Sequence, residues 1–169
     1  MAPNYAGRGP GRMQHRDDVF APAGGAESGF ARQENTFIIG NKAFFMAVKR
    51  ALDIAGGFHI VGAFRMEELS TSLRRSKLLG QVPRVAVIHE PPGHRQEADK
   101  AAHAVLETYP QSGIVLITGD ELEAESERKL GVHDFNAIVA PESVIKNPVT
   151  LSRDLHTAID EAGSAQQAA

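Results

Sequence analysis

The side chains with the most chemical potential stand where apolar runs end. His89 and Glu90 follow Val85-Ala86-Val87-Ile88, Thr118 closes a run that begins at Ile114, and Gly40-Asn41 follows Thr36-Phe37-Ile38-Ile39. A histidine changes charge near neutrality, so His89 is a candidate for phosphorylation or pH sensing. The plainer expectation is that its ring fills a pocket and hydrogen-bonds to loop backbone. His89, Glu90, Asp120 and Glu121 would have to converge to hold a metal ion, and they lack the HxxH-type spacing of zinc ligands. No metal and no other cofactor is expected. Gly40 after a strand has the look of a phosphate-binding turn, but a nucleotide fingerprint needs several glycines there and Asn41-Lys42-Ala43-Phe44 supplies none. Ser143, His133 and Asp134 could be assembled into a hydrolase set, yet no GxSxG elbow presents the serine.

The elements that must position these residues alternate along the chain. Strands are expected over residues 36–39, 58–63, 84–88, 114–118 and 137–140, each short, apolar and rich in β-branched residues. Between them run amphipathic helices. Asn41 can cap the first, where Phe45, Val48, Leu52 and Ala55 recur at helical spacing, and Gly56-Gly57 stops it. Met66, Leu69 and Leu73 mark the second helix. Ala98, Ala102, Val105, Leu106 and Tyr109 mark the third, which Pro110 ends. A charged fourth helix opens at Asp120 or Glu121, runs to Leu130 and stops at Gly131. Leu151, Leu155, Ala158 and Ile159 mark a fifth.

Five βα units with near-continuously apolar strands imply a parallel sheet covered on both faces. Right-handed crossovers then favour an α/β, doubly wound five-stranded fold of the flavodoxin-like order 2-1-3-4-5. That order puts any site beside the carboxyl ends of strands one and three, which are Gly40-Asn41 and His89-Glu90.

Composition bounds the rest. The 169 residues give room for one domain that buries about two-thirds of the unfolded chain's surface. Residues 1–34 are rich in Gly, Pro, Ala and Arg and are expected to form a disordered arm. The folded domain is expected over 35–162, and residues 163–169 as a frayed, disordered tail. No apolar run approaches the ~18–20 residues of a membrane span, and residues 1–33 contain no signal-peptide core. The chain has no cysteine, which excludes disulfides, thiolate metal sites and cysteine nucleophiles and fits a cytoplasmic location. A net charge of −3 argues against a dedicated nucleic-acid binder.

Five segments in order, TFIIGN, MAVKRALDIAGGFHIVGAF, IVLITGD, RKLGV and AIVAP, make residues 35–162 resemble the receiver domain of bacterial response regulators, closest to the LuxR/NarL type. In that family the strand ends carry two acids, a phosphoryl-accepting Asp, a Ser/Thr and a Lys. The corresponding residues are Gly40 and Asn41, His89, Thr118 and Ala140. Only Thr118 keeps the family's residue type, and the loop from His89 to Gly93 is one residue shorter than the family pattern. Phosphoryl transfer to a carboxylate needs Mg²⁺ held by oxygen ligands, a carboxylate nucleophile and a balancing cation. The resemblance therefore implies a degenerate phosphoacceptor pocket. The family's relay is lost too: where an aromatic residue moves with the Ser/Thr, this chain has Ala137, with Phe135 nearby.

The expectation is a pseudo-receiver, not an enzyme, acting in signal transduction or transcription regulation through contact with a protein partner or a second copy. In the family that contact uses the fourth helix, fifth strand and fifth helix. The chain reaches Ala169 without room for the helix-turn-helix output domain that LuxR/NarL-type proteins carry. Two rivals stand beside this reading: a truncated or partner-dependent LuxR-type DNA-binding regulator, and a small flavodoxin-like nucleotide-binding enzyme using the same crevice.

Overall fold

A computed structural model describes residues 32–119, Ala124 and residues 135–168. The expected strands form one five-stranded parallel sheet of order 2-1-3-4-5, built from β1 (Glu34–Ile39), β2 (Phe58–Phe64), β3 (Val85–His89), β4 (Gly113–Ile117) and β5 (Ala137–Val139). Boundaries differ from expectation by two residues at most. The helices are α1 (Lys42–Ala55), α2 (Leu69–Leu78, preceded by a 3-10 turn Met66–Glu68), α3 (Arg95–Thr108), α4 (Pro141–Lys146) and α5 (Pro148–Gln167).

The strands are apolar throughout because both of their faces are covered. Phe37, Ile39, Ala86, Ile88, Ile114 and Leu116 pack with α2 and α3 on one side. Ile38, Val85, Val87, Val115 and Ile117 pack with α1 and α5 on the other. Each fully buried Ile, Leu or Phe contributes about 1.5–3 kcal/mol relative to exposure, so these two layers supply most of what holds the fold. Ser112 ties the start of β4 to the loop before β3, donating from Oγ to the Pro83 carbonyl at 2.8 Å while fully buried.

Three helical expectations are corrected. The buried stripe of α1 is Phe44, Val48, Ala51 and Leu52, so Phe44 takes the place assigned to Phe45 and Ala51 that of Ala55. The segment after β5 holds the short α4, whose six residues are too few to show a period. The last helix does not stop at Gly163: Ala162 is buried, and the Ala- and Gln-rich residues beyond it, good helix formers, continue the helix to Gln167. The expected charged helix over 120–130 lies outside the described residues apart from Ala124, which is helical and buried. Among the described residues no helix is long and apolar enough to cross a membrane.

Candidate functional site

The strand order reverses between β1 and β3, and a crevice opens at their carboxyl ends, as it does in doubly wound sheets generally. A cleft of about 350 Å³ lies there, and Gly40, Asn41 and His89 line it. Asn41 is committed to the backbone: its Oδ1 accepts from the Phe44 amide at 2.8 Å, capping α1. The cap holds the first turn so that the Phe44 ring lies on the His89 ring, with centroids 4.4 Å apart and planes 17° from parallel. Gly40 completes the cluster. A Cβ at that position would stand 2.7 Å from Phe44 Cδ1 and 3.0 Å from His89 Cβ, so the stack occupies the space a side chain would need.

His89 does not make the expected hydrogen bond to loop backbone. Its Nδ1 is buried and has no hydrogen-bond partner among the described residues, and ring stacking holds the side chain instead. Burial pushes its pKa below the ordinary histidine value, favouring the neutral ring.

Glu90 turns away to a different set of neighbours. It is only 5% exposed, and its carboxylate lies 3.6 Å from the Arg95 guanidinium. Arg95 also donates to Asp99 at 2.9 Å and sits over the Phe135 ring, 4.8 Å from its centroid. Phe135 is thereby part of the core beneath α3. Thr118 is buried at the end of β4, where its amide donates to the Val139 carbonyl at 3.1 Å, and Ala140 is buried just after β5. The structure thus gathers Gly40, Asn41 and His89 around one cleft, while Thr118 and Ala140 lie at neighbouring strand ends and do not line it. Asp120, Glu121, His133 and Asp134 lie outside the described residues, as do the metal and hydrolase sets that would need them. Phe44 and Arg95 escaped sequence reasoning. The capping residue Asn41 was the one signal that could have pointed to Phe44.

The Mg²⁺ of the receiver reaction finds no fit in these residues. A hard divalent cation takes oxygen ligands, carboxylates foremost. Gly40 offers no side-chain ligand, the Asn41 oxygen serves the helix, and the Glu90 carboxylate faces a guanidinium. Of the two carboxylates that line the cleft Glu97 meets His94, which leaves Glu67 as a single acid. Among the described residues no three His, Asp or Glu side chains come together as a metal site would require.

No protein-family model and no curated protein sequence matches the chain. Solved structures do. The isolated receiver domain of RcsB from Salmonella enterica serovar Typhimurium, in the presence of the phosphomimetic BeF3−, superposes with a TM-score of 0.54 at 16% identity, covering 77% of this chain and 98% of that one. The signal receiver domain of an HD domain-containing protein from Pseudomonas fluorescens Pf-5 gives 0.57 at 11% identity, over 80% and 93% of the two chains. The RcsB response regulator of Salmonella typhimurium gives 0.54 at 15%, over 78% of this chain and 67% of its own. At such identities the likeness is one of fold: the chain has the architecture of receiver domains.

Proposed function

We propose that this chain is a receiver-like signalling domain that takes no phosphoryl group and works through protein contact, not as an enzyme. The observation that carries the reading is the Phe44–His89 stack seated on Gly40. At the strand end where a phosphoryl acceptor would need its carboxylate, two rings are packed face to face. Ala140 adds no positive charge that could balance a transferred phosphoryl group, and Ala137 at the relay position has no ring to swing. The contact face is the one the family resemblance implies, the segment over 120–130 together with β5 and α5, meeting a second copy or another protein. The reading carries a cytoplasmic location with it.

The test is direct. Acetyl phosphate or beryllofluoride with Mg²⁺ should leave the amide NMR shifts of Gly40, His89 and Thr118 unchanged. Saturable, Mg²⁺-dependent shifts at those residues would overturn the reading. Titration with duplex DNA at low salt, where even weak phosphate contacts register, should likewise leave the spectrum unmoved, and tight salt-dependent binding would favour the DNA-binding regulator.

A further inference from the structure

The crevice carries more charge than the stack needs. Lys42, at the start of α1, and Arg65, in the turn after β2, both line it, and among the described residues neither has an ion-pair partner. Glu67 lines the same cleft and is likewise without an ion pair among the described residues, while Glu97 meets only the exposed His94, at 3.2 Å. Two unpaired cations alone would describe an anion site, and two carboxylates in the same hollow argue against one.

A second hollow of about 340 Å³ adjoins the first, because Met66, Glu67 and Glu97 line both. Beyond those acids its walls are Leu69, Ala101 and Ala104, with Ser70 and Lys100 also lining it. Charge is therefore graded along one continuous groove: cations beside Gly40 and Asn41, then carboxylates, then a mainly apolar surface between α2 and α3 that also carries Lys100. Hollows of a few hundred Å³ at the switch point of a doubly wound sheet are where such folds take small molecules.

We propose that this groove is a receptor site for a small zwitterion, an α-amino acid with an apolar side chain. Its carboxylate meets Lys42 and Arg65, its ammonium meets Glu67 and Glu97, and its side chain lies along Leu69, Ala101 and Ala104. Opposite charges side by side on the ligand's α-carbon account for both pairs of side chains, which a simple anion or cation would leave half unmatched. The site does not depend on the absence of phosphoryl transfer, so either idea can fail without the other.

The experiment is a titration of the full chain, followed by amide NMR, with L-leucine, L-methionine and L-phenylalanine. Parallel titrations use 4-methylvalerate, isoamylamine and inorganic phosphate. The expected result is saturable shifts at Gly40, Ser70 and Ala101 with at least one amino acid. The single-charge analogues should bind at least about tenfold more weakly, because the charge-assisted hydrogen bonds of one of the two charged groups are lost. R65Q and E67Q should each weaken binding about tenfold or more, while the thermal midpoint stays put because both side chains are exposed. No saturable shift with any of the three amino acids would overturn the proposal. So would equal binding of phosphate or of 4-methylvalerate, or undiminished binding by both variants.

Discussion

Gly40 decides what the crevice can hold. Placing Ala there puts a methyl group against Phe44 Cδ1 at 2.7 Å and His89 Cβ at 3.0 Å. The nearest atoms belong to a ring that can tilt, so the expected cost is the modest one of overpacking, about 1–3 kcal/mol. Urea unfolding of Gly40→Ala should show it as a lower midpoint with an unchanged slope, and an unshifted midpoint would mean the stack is loosely held. His89 makes a second prediction, with its sign fixed by burial. Its folded-state pKa lies below the unfolded value of about 6.5, so the unfolded chain binds the proton more readily. The stability of the neutral, stacked ring is fully present above that unfolded value and is lost as pH falls through the folded one. His89→Phe keeps an aromatic partner for Phe44 and removes the titration. The stability difference between wild type and His89→Phe should therefore shift against wild type as pH is lowered from 7.5 toward 5. A difference that stays flat would show that the ring is not desolvated.

At the scale of elements, the sheet and its covering helices meet too closely for side chains at one point. A Cβ at Gly113, the first residue of β4, would stand 2.6 Å from the Ala158 carbonyl oxygen of α5. Backbone cannot tilt aside as a ring can, so Gly113→Ala must lift α5 or bend β4. Its loss of stability should exceed that of Gly40→Ala measured under the same conditions, and the reverse order would contradict the close approach. The start of α1 offers a milder case. Asn41→Ala removes the bond from its Oδ1 to the Phe44 amide and should cost about 1 kcal/mol, with exchange broadening spreading to Phe44 and His89. Elements of this kind were legible where physics repeats. The strands showed themselves because burial on both faces leaves an uninterrupted apolar run, as in Val85–Ile88. Helical faces were read less well: one residue's error at Phe45 hid the ring that fills the crevice. Gly163 looked like a stop, but the buried Ala162 and the helix-forming residues after it carry α5 onward. The strand-end positions Gly40, Asn41 and His89 were found because sheet topology sends them to one place. The Phe44–His89 stack and the Glu90–Arg95–Phe135 cluster were not, since contacts between distant segments leave no periodic trace.

The described residues form a sheet between two apolar layers, with a graded groove at the edge where the chain reverses its winding. Among the described residues both layers draw their side chains from Phe37 onward. The first ladder contact is made at Glu34, whose amide donates to the Gly57 carbonyl at 2.9 Å and whose carboxylate lies 3.5 Å from Arg84. Residues 1–32 bring few large apolar side chains, scattered singly as Tyr5, Phe20 and Phe30 among Gly, Pro, Ala and Arg. The expectation from such composition is that it buries too little surface to offset the entropy of ordering it. Removing residues 1–32 while keeping Gln33 and the Glu34 contacts should therefore leave the melting midpoint within about 2 °C. For a domain of this size a loss of about 1 kcal/mol moves the midpoint by several degrees, so the measurement separates the two cases. A larger drop would mean that one of those three aromatic residues supplies packing to the domain, and restoring them one at a time would identify it.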